Sequence, residues 1–87
     1  MTTIFIDTRE PYEYDKSHVE GAINIPPMEM MQGLPKSLQD VPKDTELVLY
    51  CISGARSNTS MQFLRQYGFT NLTNGVNQRQ VEAKYFR

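Results

Sequence analysis

The stretch from residue 47 to residue 57 constrains the fold of this 87-residue chain more than any other feature. An apolar run from Leu47 to Tyr50 ends abruptly at Cys51, the only cysteine, and a helical pattern begins at Arg56. This order predicts a buried strand, a tight loop and a helix, with the thiol at the carboxyl end of the strand. Backbone N–H groups of such a loop can turn inward as an anion-binding nest, at which the following helix directs its positive end. We therefore predict that Cys51 is a reactive thiol rather than a buried structural one.

The electrostatics of the loop indicate which residues act with the thiol. An unperturbed cysteine titrates near ~8.5, and a helix end contributes at most ~2 kcal/mol, which is about 1.5 pKa units. Lowering the pKa of Cys51 well below neutrality therefore requires the loop amides and the guanidinium of Arg56 as well. We predict Cys51 and Arg56 as catalytic residues. The other loop positions, predicted to bind substrate, are Ile52, Ser53, Gly54, Ala55 and Ser57.

Three motifs resemble those of a known family. The pattern Cys51-x-x-Gly54-x-Arg56-Ser57 resembles the active-site loop of the rhodanese (thiosulfate sulfurtransferase) family. Residues 6–14 (IDTREPYEY) and 18–26 (HVEGAINIP) resemble its amino-terminal signature. The resemblance implies a small single-domain sulfurtransferase that takes sulfur from a small anionic, thiosulfate-like donor onto Cys51 as a persulfide. It further implies cyanide or a thiol as acceptor, a thioredoxin-like protein included, and no metal or organic cofactor.

Apolar runs and turn residues predict alternating strands and helices. Strands are predicted over residues 4–6, 22–25, 46–50 and 69–73, and helices over 12–16, 28–31, 36–40, 56–67 and 77–84, with a turn at Asn74-Gly75. This alternation is typical of the α/β class, and we expect residues 1–87 to form one domain with a parallel sheet of four to five strands and helices on both faces. Functional residues then belong at the carboxyl ends of the strands.

Composition and charge narrow the function classes. Hydrophobic residues make up 39% of the chain and charged residues 22%, as in an ordinary soluble domain. The net charge of −1 gives no basic field for nucleic acid or an anionic membrane surface. No apolar stretch is long enough to span a bilayer. With no visible signal peptide, we expect a cytoplasmic monomer, or a periplasmic one if Met1 replaces a removed signal peptide.

The single cysteine also limits the chemistry. It excludes an internal disulfide and leaves no resolving thiol in the chain, so sulfur on Cys51 must pass to an external acceptor. His18, the only histidine, belongs to a structural turn in the resembled family, and we favour that role over catalysis. We expect Asp7 and Glu13 to hold backbone groups or to pair with arginine, because sulfur transfer needs little proton shuttling.

Two further arginines are candidates for binding an anionic donor. Arg9 follows the first strand at its carboxyl end, although a salt-bridged role is the commoner one. Arg79 stands where the resembled family usually has tryptophan, and Asn74-Gly75 replaces a Gly-Gly pair. We expect this turn to border the mouth above Cys51, and a solvent-exposed Arg79 is the favoured interpretation.

Two other functions remain open. Related folds use Cys-x5-Arg loops on phosphoryl groups, but only four residues separate Cys51 from Arg56. The shorter loop makes a smaller ring of amides, better sized for one sulfur than for a tetrahedral oxyanion. A non-catalytic persulfide carrier or interaction module has the same loop as an enzyme and differs in its partner and turnover.

Overall fold

A parallel sheet of four strands forms the centre of the computed structural model, which describes residues 2–86. In chain order the elements are β1 (Thr3–Asp7), α1 (Pro11–Lys16), β2 (Ile23–Asn24), α2 (Pro27–Met31), a 3₁₀ turn (Lys36–Leu38), β3 (Glu46–Cys51), α3 (Ala55–Gln66), β4 (Leu72–Asn77) and α4 (Gln78–Tyr85). The strand order is β2-β1-β3-β4, with every neighbouring pair parallel. The predicted α/β class is therefore confirmed.

Alternation along β3 explains why helices cover both faces of the sheet. Leu47 and Leu49 are fully buried in a cluster with α2 and α3, to which α3 contributes Leu64. Val48 and Tyr50 point to the opposite face, where they join a second cluster that includes Val81 of α4. A central strand buried on both faces reads as a continuous apolar run, as this one does.

The third helix ends as the sequence predicts. Gly68 adopts a left-handed conformation (φ 101°), and the N–H of Phe69 donates to the carbonyl of Leu64 at 3.0 Å. This is the Schellman arrangement, in which glycine avoids the steric cost of a positive φ. Within residues 2–86, no helix has the length and apolar character needed to cross a membrane.

The fourth strand differs from its prediction. It runs over Leu72–Asn77 rather than 69–73, and Asn74-Gly75 lies inside it instead of forming a turn. Leu49 pairs with Asn74 and Tyr50 with Val76, so Gly75 is the extra residue of a bulge. The turn prediction was wrong because residues typical of tight turns also suit a bulge. The bulge lets β4 continue until Asn77 lies beside Cys51.

Candidate active site

Cys51 is the last residue of β3 and only 2% exposed. Burial alone would raise the pKa of its thiol. Hydrogen bonds from the Ser57 hydroxyl and from the backbone N–H groups of Ser57, Gly54 and Ser53 outweigh burial and lower the pKa to about 7. The Gly54 N–H lies 3.1 Å from the sulfur. At neutral pH, Cys51 is therefore a thiolate in about half of the molecules.

The loop after Cys51 depends on a left-handed glycine and on an asparagine from β4. Gly54 has φ 90° at the start of α3. Asn74 Nδ2 donates to the Gly54 carbonyl at 2.9 Å, and Asn74 Oδ1 accepts from the Val76 N–H at 2.9 Å. One amide side chain thus joins the active-site loop to the bulge. Sequence reasoning missed this role because it assigned Asn74 to a turn.

A second residue missed from the sequence is Thr8, which follows β1. Its hydroxyl donates to the Tyr50 carbonyl at 3.0 Å and lies 3.3 Å from the Ser57 hydroxyl. Both hydroxyl residues are fully buried. Thr8 therefore contacts Ser57, whose hydroxyl contributes to the lowered pKa of Cys51. No motif marks such a contact, because its partner is 49 positions away along the chain.

Arg56 is held by a carboxylate of α1. Its Nη1 donates to Glu13 Oε1 at 2.8 Å and its Nη2 to Glu13 Oε2 at 3.3 Å. The prediction that Glu13 pairs with an arginine is confirmed. The hydrogen bond with Glu13 raises the pKa of Arg56, and the negative charge of the Cys51 thiolate raises it further. Arg56 therefore lies within the field of the thiolate, yet the main donors that lower the pKa of Cys51 are Ser57 and the loop amides.

Arg9 forms a different and more deeply buried ion pair. Its Nη2 lies 2.6 Å from Asp7 Oδ2 and also donates to the Ser17 carbonyl at 2.6 Å. Nε adds a bond to Asp7 Oδ1 at 2.9 Å. The prediction that Asp7 pairs with an arginine is confirmed. Substrate binding by Arg9 stays a prediction, since these contacts direct its donors to Asp7 and to the end of α1.

The remaining candidates lie at the surface. His18 is exposed, and its Nδ1 donates to the Tyr14 carbonyl at 2.8 Å while its ring stacks on the Tyr14 ring at 3.7 Å. These contacts hold His18 against α1, and its place in a structural turn stays a prediction. Arg79 is exposed in the first turn of α4, two positions after Asn77, and forms no ion pair within residues 2–86. Its role at the mouth stays a prediction.

The candidate site is centred on a cysteine thiol. No group of three or more histidine, cysteine, aspartate or glutamate residues within residues 2–86 is placed to hold a metal ion. The site consists of one nucleophilic thiol at the carboxyl end of a central parallel strand, a ring of N–H donors, and the start of α3. Fold and site together define an α/β domain whose cysteine is built to carry negative charge.

The chain belongs to the rhodanese-like domain family, whose model matches residues 1–78. It is similar to a rhodanese with anions from E. coli, with 30% identity, a TM-score of 0.77 and 91% of each chain covered. A human single-domain sulfurtransferase is 27% identical with a TM-score of 0.74, over 94% of this chain and 82% of that one.

The curated relatives are longer than this chain and are named tRNA uridine(34) hydroxylase. The tRNA uridine(34) hydroxylase of Cronobacter sakazakii is 38% identical over 68 residues, which cover 76% of this chain and 20% of that protein. The corresponding protein of Pectobacterium carotovorum is 32% identical over 72 residues, covering 80% of this chain and 20% of that protein. The chain thus spans about a fifth of the length of these relatives.

Proposed function

We propose that this domain is a sulfurtransferase that accepts sulfane sulfur on Cys51 as a persulfide and passes it to a thiol or to cyanide. The observation that carries the proposal is the buried Cys51 sulfur at the carboxyl end of β3, 3.1 Å from the Gly54 nitrogen, in a loop whose donors lower the pKa of the thiol to about 7. A thiolate at neutral pH is the form that attacks sulfur. Similarity to a bacterial rhodanese and a human sulfurtransferase supports the same chemistry.

The reaction has two displacements at sulfur. In the first, the Cys51 thiolate bonds to the outer sulfur of a donor such as thiosulfate, the bond to the sulfite sulfur breaks, and sulfite leaves with the electron pair. The terminal sulfur of the persulfide carries the negative charge, which the N–H donors of the loop stabilise. In the second, cyanide or a thiolate bonds to that outer sulfur, and the Cys51 thiolate is released unchanged.

A second candidate comes from the relatives named tRNA uridine(34) hydroxylase, to which identity reaches 38% over 68 residues. In that case the domain would serve an RNA-modifying reaction. We favour sulfur transfer because the net charge of −1 supplies no basic field for RNA. The hydroxylase name also belongs to proteins of which this chain matches 20%.

Loading and turnover distinguish sulfur transfer from the carrier and phosphatase alternatives. The purified domain is incubated with thiosulfate or with a persulfide, and intact mass spectrometry tests for the gain of one sulfur atom. Thiocyanate formation from added cyanide then measures turnover, with Cys51→Ser as the control that must neither load nor turn over. Loading without turnover to any acceptor indicates a carrier, and release of phosphate from an aryl phosphate indicates the phosphatase alternative. Absence of loading from every donor contradicts the proposal.

A further inference from the structure

We propose that Glu13 determines the donor specificity of the Cys51 site: by neutralising Arg56, it directs the site to persulfides, whose reacting group carries at most one charge, and away from the thiosulfate dianion. This inference rests on the proposed function and names its substrate class. Arg56 is the only charged residue from Cys51 to Ser57, so its ion pair decides the charge that a donor meets at the loop.

The ion pair is built to persist. Both oxygens of Glu13 contact the guanidinium, at 2.8 and 3.3 Å. Glu13 Oε1 also accepts from the Glu10 N–H at 2.9 Å, which anchors the carboxylate to the first turn of α1. The two side chains are only 34% and 19% exposed. An incoming anion must therefore compete with a carboxylate already fixed on Arg56.

The surroundings do not restore the missing positive charge. Glu10 is exposed and close enough for its negative charge to act on Arg56. Ile52, the loop residue next to Cys51, is 56% exposed and apolar. The other arginine placed after a neighbouring strand, Arg9, is itself paired with Asp7. Apart from the exposed Arg79, whose role at the mouth stays a prediction, the groups at the mouth are neutral or apolar with an additional carboxylate nearby, so they offer a dianion no net positive charge.

A persulfide donor fits the charge and the apolar surface near Cys51 better than the thiosulfate dianion does. Its reacting sulfur carries at most one charge, which the N–H groups around Cys51 can accommodate, and an uncharged organic group can lie against Ile52. In the transfer, the Cys51 thiolate bonds to the outer sulfur of R–S–SH and the original S–S bond breaks. The leaving R–S⁻ takes the proton of the outer sulfur, so the products are the Cys51 persulfide anion and R–SH. No sulfite-like dianion has to be stabilised.

Removing the charge of Glu13 tests the inference. Glu13→Gln keeps the size of the side chain and an oxygen for the Glu10 N–H. We expect the KM for thiosulfate to fall about two- to fivefold, the range of a partly exposed ion pair. The persulfide of N-acetylcysteine methyl ester carries at most one charge at its reacting group. Its kcat/KM should therefore change less than about twofold. The gain with thiosulfate should shrink at high salt, because exposed charges are then screened.

Two matched variants complete the design. Asp15→Asn removes a carboxylate from an exposed position of the same helix that forms no ion pair within residues 2–86, and should leave both donors unchanged. Glu10→Gln should lower the KM for thiosulfate in the same direction as Glu13→Gln but by less, and it keeps the test open if Glu13→Gln does not fold.

Five outcomes count against the inference or against the function on which it rests. Equal losses of kcat for both donors in Glu13→Gln would make Glu13 a residue that positions Arg56 for chemistry. An unchanged KM for thiosulfate, or an equal change in Asp15→Asn, would remove its role in specificity. A wild-type kcat/KM that is higher for thiosulfate than for the persulfide would contradict the preference while leaving the proposed function intact. Failure of Cys51 to load from both donors would contradict the proposed function itself.

Discussion

At the scale of single residues, the hydroxyl of Ser57 is shared between two acceptors. It contributes to the lowered pKa of Cys51, and its oxygen lies 3.3 Å from the Thr8 hydroxyl. Thr8 directs its own proton to the Tyr50 carbonyl. When the thiolate forms, the Ser57 proton can therefore turn to the sulfur without any charged side chain moving.

We expect Ser57→Ala to raise the pKa of Cys51. A hydrogen bond to a charged group contributes about 1.5–3 kcal/mol, so the pKa should rise by about one to two units from its value of about 7. The rate of alkylation by iodoacetamide, measured against pH, reports the midpoint. Thr8→Val keeps the Ser57 hydroxyl and should shift the midpoint by less. Superimposable profiles for wild type and Ser57→Ala would contradict this assignment.

The same thiol links stability to pH. The pKa of Cys51 is about 7 in the folded chain and ~8.5 in an unfolded one, so the unfolded state binds more protons between these values. The stabilisation is complete above ~8.5 and is lost as the pH falls through about 7, and it amounts to about 2 kcal/mol. Urea unfolding from pH 6 to pH 9 should show this rise in wild type and not in Cys51→Ser. Parallel stability curves would contradict it.

At the scale of elements, the bulge of β4 and the loop before α3 form one unit. Val76 has a φ of 74°, which is strained for a β-branched residue, and Asn74 holds its N–H. A Cβ on Gly75 would lie 2.5 Å from Val81 Cγ2 of α4, so only glycine allows this approach of strand and helix. Strain and close packing therefore concentrate beside Cys51.

We expect Asn74→Ala to weaken both the bulge and the active-site loop. The variant leaves the Gly54 carbonyl and the strained Val76 N–H without their side-chain partner, and we expect a loss of about 1–3 kcal/mol in the free energy of unfolding. Sulfur loading of Cys51 should slow as well, because Gly54 loses its anchor. Asn71→Ala is the matched control, since Asn71 donates only to an exposed carbonyl at 3.3 Å. Equal behaviour of the two variants would refute the role of Asn74.

At the scale of the whole molecule, the sequence predicted what depends on local pattern. The apolar run of β3, the proline that opens α1 and the glycine after α3 each encode their element within a few residues. What it did not predict depends on tertiary contacts, as with the strand that runs through Asn74-Gly75 and the contact of Thr8 with Ser57. The lowered pKa of Cys51 was predicted because its loop is contiguous in the chain. The Thr8 hydroxyl, which contacts Ser57, comes instead from the end of β1, far away in the sequence.

The contribution of the Asp7–Arg9 ion pair can be compared with the total free energy of unfolding. A chain of this length has a free energy of unfolding of about 4–13 kcal/mol. Asp7 is fully buried and Arg9 is 7% exposed. Asp7→Asn leaves the guanidinium without its charge partner, and breaking a buried pair in this way costs about 3–5 kcal/mol. The loss is therefore a large share of the whole, and we expect Asp7→Asn to unfold at a markedly lower urea concentration and temperature than the wild type.

Far-UV circular dichroism during urea and thermal unfolding measures this effect. Arg56→Gln breaks the more exposed Arg56–Glu13 pair, whose side chains are 34% and 19% exposed, and should cost no more than about 1 kcal/mol. The contrast follows from burial, since water compensates a released charge at the surface and not in the interior. Equal destabilisation by the two variants would contradict the argument that burial separates the two pairs.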